Sequence, residues 1–166
     1  MTTEPKIIYR HEQPYVGIRT QAAVSELPTV IPQLFDETAA WLVKQAITPV
    51  GAPFIRYHII NMPGKLDIEM AYPVEGSLSG SGSVSFGVLP AGQYASLLYR
   101  GPYDGLMEAN AVLIGWAEAH GLSWDRWDDE NGDAFRSRLE IYHTDPDQEP
   151  DPANWETEVA IKLADE

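Results

Sequence analysis

The chain has 166 residues, of which 25 are acidic and 11 are basic, so its formal net charge is -14 at pH 7. A field of this sign repels phosphate backbones and anionic lipid surfaces and attracts cations, which argues against nucleic acids and membranes as partners. Cysteine is absent, which excludes disulfides, thiolate nucleophiles and cysteine-ligated metals, and the length predicts a single domain over residues 1–166.

The first half of the chain has the pattern strand, helix, strand, strand. β-Branched and aromatic residues favour the first strand, in which Pro14 predicts a bulge or bend. Ser25 is a candidate N-cap and Pro28 suits a first helical turn, and the apolar residues that follow recur at helical spacing. The predicted elements are a strand over 6–24, a helix over 29–47, and strands over 54–60 and 66–74.

The second half repeats this order. Residues 101–104 end a strand and can cap a helix, whose apolar stripe includes Asn110 and which Gly121 closes as a C-terminal glycine. The acidic segment that follows is interpreted as a connection. The predicted elements are a strand over 91–100, a helix between 106 and 121, and strands over 135–143 and 156–163. Segments 76–85 and 145–154, which are small and polar or acidic and Pro-rich, are predicted to be flexible.

Landmark residues recur at similar offsets in the two halves. The matching pairs are Trp41 and Trp116, which are 75 residues apart, Gly51–Phe54 and Gly132–Phe135, which are 81 apart, and Tyr57-His58 and Tyr142-His143. Small shifts of the offset are what a loop insertion produces, so an internal duplication is predicted, with repeat one over 6–75 and repeat two over 88–165. The alternative is that many α+β domains can be divided in this way.

Five stretches together resemble the GyrI-like small-molecule-binding family, which also forms the effector-binding domain of multidrug-responsive bacterial regulators. They are GAPFIRYHII (51–60), KLDIEMAYPV (65–74), LPAGQYASLLYRGPYDGL (89–106), RLEIYHTDP (138–146) and WETEVAIKL (155–163). The resemblance implies an α+β fold of two pseudo-symmetric strand–helix–strand–strand (SHS2) modules. These would form an antiparallel sheet with the helices packed on one face and a central ligand cleft. Only a few residues precede the first strand, so a stand-alone form is expected.

Glu140 is the main candidate for a functional residue. It lies in the middle of a predicted strand, where Arg138 and Tyr142 share its face, while Leu139 and Ile141 suit the face covered by helices. From spacing alone, an ion pair with Arg138 or a solvated face is the favoured explanation of this glutamate, and the resemblance reverses that preference. The resemblance implies that Glu140 meets cationic aromatic ligands. Glu69 and Glu158 occupy corresponding strands and are interpreted as structural.

Aromatic side chains would supply the walls of the cleft. The candidate ligand-binding residues beside Glu140 are Tyr142, Tyr57, Tyr99, Trp155 and Trp41. Pseudo-symmetry would direct Tyr57 and Tyr142 at one shared cleft. The alternatives are that the tyrosines belong to the core and that Trp41, like Trp116, packs inside the fold beneath its helix.

The predicted function is binding or sequestration of lipophilic, often cationic aromatic small molecules, a function related to drug resistance. One alternative is a hydrolase of electrophilic cyclopropane-containing compounds with Glu140 and Tyr142 as catalytic residues, since some proteins that the sequence resembles have this activity. Another is an interaction module that inhibits a protein partner such as DNA gyrase. The four histidines lack metal-ligand spacing, so no metal and no cofactor are expected. No signal peptide or membrane span is visible, so a cytoplasmic location is expected.

Overall fold

Ten strands and two α-helices make up the computed structural model, which describes residues 1–165. The elements are β1 (Lys6–Arg10), β2 (Gln13–Ala22), α1 (Leu27–Lys44), β3 (Phe54–Ile60), β4 (Leu66–Pro73), β5 (Ser85–Leu89), β6 (Gly92–Arg100), α2 (Leu106–Ala119), β7 (Arg126–Asp129), β8 (Gly132–Phe135), β9 (Arg138–Tyr142) and β10 (Glu156–Lys162). Neither helix is long and apolar enough to cross a membrane.

The strands form one curled antiparallel sheet in the order β1-β6-β10-β9-β3-β4-β2-β5, with the β7–β8 hairpin attached to β3. The three strands β2-β4-β3 on one side correspond to β6-β10-β9 on the other, and each set carries one helix between its first and second strands in the chain. The two sets meet where β3 pairs with β9. This arrangement confirms the predicted fold class of two pseudo-symmetric modules and places β3 and β9 at its centre.

Apolar side chains cover both faces of the sheet. On the helix-covered face, α1 packs against Ile55, Ile68 and Met70, and α2 packs with Leu97 and Val159. On the opposite face, a second layer of core residues is not covered by a helix. Its members include Tyr15, Phe54, Tyr94, Leu139, Ile141 and Ala160. Both faces of the central strands are therefore buried, which is unusual for an antiparallel sheet.

Most predicted elements are present with small shifts of their ends. Pro28 lies in the first turn of α1 as predicted, whereas Ser25 belongs to a short 3-10 turn and Glu26 holds the N-cap position. Gly121 follows α2 with φ +66°, the left-handed conformation expected of a glycine that closes a helix. The strand predicted over 6–24 is two strands, because β1 pairs with β6 while β2 pairs with β4 and β5.

Three strands were missed by the sequence analysis. β5 lies just after the segment predicted to be flexible, and β7 and β8 lie in or beside the acidic segment interpreted as a connection. β7 has the sequence RWDD and is largely exposed, so it carries no apolar alternation from which a strand could be predicted. The strand predicted over 135–143 begins later, at Arg138 in β9, and Phe135 is the last residue of β8.

On the face without helices, matched histidines contact matched glutamates. His58 Nε2 lies 2.8 Å from Glu69 Oε1, and His143 Nε2 lies 3.0 Å from Glu158 Oε1. Tyr15 also donates to Glu69, at 2.6 Å. These contacts give both carboxylates partners within the fold, in keeping with the interpretation of Glu69 and Glu158 as structural.

Glu158 makes the stability of the fold depend on pH. Burial alone would raise the pKa of Glu158, but hydrogen bonds from His143 and Ser96 and the charge of Arg10 outweigh it, so that its pKa lies below the usual 4.5. The folded state therefore gains stability above pH 4.5 and loses it as the pH falls through the lowered pKa. We expect Glu158→Gln to lower the free energy of unfolding by about 1 kcal/mol at neutral pH. Urea unfolding should show this loss shrinking well below pH 4.5, and an equal loss at both pH values would contradict it.

Candidate functional site

One row of side chains crosses the sheet beneath the helices and contains a single polar member. Cross-strand register aligns its six residues in the order Ile18, Met70, Ile55, Glu140, Val159 and Leu97. Five are apolar and at most 5% exposed, and Glu140 is 9% exposed. A carboxylate in such a row costs folding free energy unless hydrogen bonds or a cation compensate for the lost hydration. Core packing explains the five apolar residues of this row, but it does not explain a carboxylate at position 140.

Three neutral donors hold the Glu140 carboxylate. The hydroxyls of Tyr57 and Tyr142 each donate to Oε1 at 2.8 Å, and Asn110 Nδ2 donates to Oε2 at 3.2 Å. Within residues 1–165, no Lys, Arg or His nitrogen lies within 4.0 Å of this carboxylate. The negative charge is hydrogen-bonded but has no direct counter-ion.

Glu140 lies at the pseudo-symmetric centre of the fold. The offset of 85 that relates Tyr57 to Tyr142 also relates Ile55 to Glu140, and Ile55 is directly opposite Glu140 in the β3–β9 pair. Two equivalent tyrosines therefore reach one carboxylate from the two modules. Burial, followed by the adjacent Glu140 charge, raises the pKa of both hydroxyls well above the usual value. Both tyrosines thus stay protonated and donate.

The second oxygen of Glu140 connects to the half-buried guanidinium of Arg138 through an amide. Asn110 Oδ1 accepts from Arg138 Nη2 at 3.1 Å, while its Nδ2 donates to Glu140. The Arg138 guanidinium also lies 4.7 Å from the centre of the Phe135 ring. Burial lowers the pKa of Arg138, although the charge of Glu140 opposes that effect. The direct ion pair between Glu140 and Arg138 that the sequence allowed is therefore not formed, and the Asn110 amide bridges the two side chains instead.

Aromatic rings pack around Tyr142, a donor to the Glu140 carboxylate, and we call Phe35, Tyr103 and Trp155 the aromatic cover. Phe35 of α1 meets Tyr142 edge-on at 6.1 Å, and Tyr103 meets the same ring at 5.5 Å. Trp155 lies against Tyr103 at 4.7 Å. Tyr103 is 38% exposed, so it forms the outer part of this cover. The carboxylate thus accepts a hydrogen bond from a tyrosine that belongs to a cluster of aromatic rings, an arrangement suited to a flat or cationic partner.

The sequence comparisons assign the chain to a family. Residues 3–164 match the profile of the GyrI-like small molecule binding domain. The chain belongs to this family. A search of the curated proteins gives no match to this GyrI-like chain.

Solved structures show the same fold. The C-terminal domain of EcmrR has 22% identity and a TM-score of 0.71, and the match covers 98% of each chain. EcmrR in its complex with DNA has 22% identity and a TM-score of 0.74. That match covers 98% of this GyrI-like chain, which spans only 58% of the longer protein. SAV2435 bound to tetraphenylphosphonium has 12% identity and a TM-score of 0.63, and the match covers 98% of this chain and 94% of that one.

The GyrI-like fold brings some of the predicted site residues together and leaves others apart. Glu140, Tyr57 and Tyr142 share hydrogen bonds, and Trp155 joins them through Tyr103. The other two predicted residues are held elsewhere. Tyr99 packs in the core beneath α2 and donates to the Pro102 carbonyl at 2.7 Å, and Trp41 donates to Ser81 Oγ at 2.8 Å beside β2 and the segment before β5.

The predicted face of Glu140 was wrong. Glu140 points to the helix-covered face, where it contacts Asn110 of α2, whereas Leu139 and Ile141 pack on the opposite face. Since both faces of the sheet are apolar, alternation along the strand reveals that two faces exist but not which one the helices cover. The corrected orientation places the carboxylate between the sheet and the helices.

Three residues of the site, Asn110, Phe35 and Tyr103, were not predicted to be functional. Asn110 was the polar member of an otherwise apolar helical stripe, a signal that could have marked it. The helix offset of 75 relates Asn110 to Phe35, so the module-one half of the site is apolar where the module-two half is polar. Tyr103 lies in the turn before α2 and is placed over Tyr142 by tertiary packing, which has no local sequence signal.

Two surface cavities, of about 260 and 540 Å³, lie elsewhere, near the β3–β4 turn and the β7–β8 hairpin. Glu140 lines neither of them. Among residues 1–165, no group of histidine and carboxylate side chains is placed to hold a metal ion. The candidate site therefore consists of one carboxylate, its three neutral donors and the rings above it.

Proposed function

We propose that this GyrI-like domain binds lipophilic aromatic monocations, with Glu140 as the group that selects positive charge. The observation that supports this proposal is the buried carboxylate in an otherwise apolar row, held by three neutral donors and lacking a direct counter-ion. An external cation would supply the missing charge. The net charge of -14 would also raise the local concentration of such ligands.

The energetic gain for a cation at this place is substantial. Opposite charges about 4 Å apart attract by roughly 4 kcal/mol at an effective dielectric near 20, before the cost of desolvating the ligand. A delocalised aromatic cation has a smaller hydration penalty than a compact ammonium, and contact with the rings adds about 0.5–2 kcal/mol. These terms favour aromatic cations over inorganic ones and over neutral aromatics of the same size.

Ligand entry would require the aromatic cover to open. Tyr103 and Trp155 form its outer layer, and Tyr103 lies in a short turn between β6 and α2, so these two rings are the ones we expect to move. Rings that slide over one another accept ligands of different shapes, which is consistent with multidrug binding. Sequestration of such compounds in the cytoplasm is the simplest physiological use of the site.

The test is calorimetric titration with tetraphenylphosphonium and with the neutral triphenylphosphine oxide. We expect micromolar affinity for the cation, which corresponds to about -8 kcal/mol, and binding at least about tenfold weaker for the neutral compound. Equal affinity for both compounds, or binding of neither, would refute the proposed selection of aromatic monocations.

A further inference from the structure

Arg138 and Glu140 have every geometric reason to form a direct ion pair. They are two residues apart on β9, so their side chains leave the same face of the sheet. Arg138 is long enough to reach the neighbouring carboxylate, and both side chains are largely withdrawn from water, which strengthens their attraction. The guanidinium nevertheless donates to Asn110 Oδ1, and it is this amide that contacts Glu140.

The orientation of the Asn110 amide is fixed by three partners that agree. Its Nδ2 donates to the Leu106 carbonyl at 2.8 Å and to Glu140 Oε2 at 3.2 Å, and both of these oxygens can only accept. Its Oδ1 accepts from Arg138, which can only donate. A flipped amide would lose all three hydrogen bonds. Asn110 therefore stands between the two charges in one defined orientation.

We infer that Asn110 is a spacer that keeps Arg138 from neutralising Glu140 and so leaves the carboxylate free to pair with a ligand cation. This inference rests on the proposed function and adds one positioning residue, Asn110, to it. Asn110 gives Arg138 an acceptor of its own, and it gives Glu140 a neutral donor instead of a positive one. Without the amide, the guanidinium would take the place that the ligand is meant to occupy.

The inference predicts that removal of a neutral side chain lowers affinity for a cation. In Asn110→Ala, Arg138 can swing onto Glu140, and the ligand must then compete with a tethered guanidinium. We expect the Kd for tetraphenylphosphonium to rise by about tenfold or more, because close charge pairs of this kind couple strongly. The affinity for triphenylphosphine oxide should change by less than about threefold, since that compound makes no use of the charge.

A second substitution should reverse the loss. In Asn110→Ala/Arg138→Gln, no guanidinium remains to occupy Glu140, so the affinity for tetraphenylphosphonium should return to within about threefold of the wild-type value. Arg138→Gln alone should bind the cation at least as well as the wild type. An Asn110→Ala protein with unchanged affinity, or a double variant that stays as weak as Asn110→Ala, would overturn the inference. Asn110→Ser offers a milder test of the same outcome.

A ligand-free measurement separates this inference from the proposed function. Double-mutant cycles of Arg138→Gln and Glu140→Gln, measured by urea unfolding, report the coupling between the two residues. We expect the coupling, expressed as a ratio of unfolding constants, to be at least about fivefold larger in the Asn110→Ala background than with Asn110 present. Equal coupling in the two backgrounds would refute the spacer, even if the wild type binds cations. Increased coupling in a protein that binds no cation would refute only the proposed function.

Discussion

Glu140→Gln is expected to remove most of the preference for cationic ligands while leaving the binding of neutral ones intact. The substitution keeps the size of the side chain and an oxygen that can accept from Tyr57 and Tyr142, but it removes the charge. The loss of a charged partner is worth about 1–3 kcal/mol, or roughly five- to 150-fold in Kd for tetraphenylphosphonium. Titration calorimetry of the two proteins with the cation and with triphenylphosphine oxide measures both effects.

Glu158→Gln is the matched control for this experiment. It removes the same charge from the same module but on the opposite face of the sheet, where Glu158 contacts His143 and Ser96. It should leave both Kd values within about twofold, as expected for a distant and independent site. If Glu158→Gln weakened the cation as much as Glu140→Gln, the general field of the protein, and not the buried carboxylate, would be responsible.

Ile55→Glu should destabilise the fold strongly, because it places a second carboxylate directly across from the first. Ile55 is fully buried and is the cross-strand partner of Glu140, at a position where Cβ atoms are about 5 Å apart. Two carboxylates at this distance cannot both be ionised without a large cost, in addition to the cost of burying the new one. We expect the free energy of unfolding at pH 7 to fall by about 3–5 kcal/mol in urea titrations.

Ile55→Gln separates the effect of the added charge on stability from the effect of the changed side-chain shape. It has the same length as the glutamate variant but adds no charge, so we expect it to be the more stable of the two at pH 7. The difference between the variants should shrink at lower pH, because protonation of the introduced carboxyl removes the repulsion. A difference that does not depend on pH would mean that the introduced carboxyl is neither buried nor close to Glu140.

The meeting of the two tyrosines at the site could largely be predicted from the repeat pattern. The matching positions of Tyr57 and Tyr142 predicted that both would face one shared site, and the structure brings both hydroxyls to Glu140. The face of Glu140 could not be obtained in the same way. Leu139 and Ile141 are as buried as the residues under the helices, because a second apolar layer lies on the other side of the sheet.

The rest of the site depends on contacts between elements far apart in the chain. Asn110 reaches Glu140 from α2, and Tyr103 is held over Tyr142 and beside Trp155 by the packing of three separate segments. Local patterns predict that a residue lies on a helix or a turn, but not which strand it meets. The β7–β8 hairpin was missed for a related reason, since β7 is largely exposed and β8 is defined by its pairing with β3.

A crystal structure of the protein with tetraphenylphosphonium would show whether the ligand contacts Glu140. We expect the cation to lie between the sheet and the helices, with its positive centre close to the Glu140 carboxylate and with Tyr103 and Trp155 displaced from their present positions. A cation bound instead in the surface cavities near the β3–β4 turn, with Tyr103 and Trp155 unmoved, would refute the proposed role of Glu140.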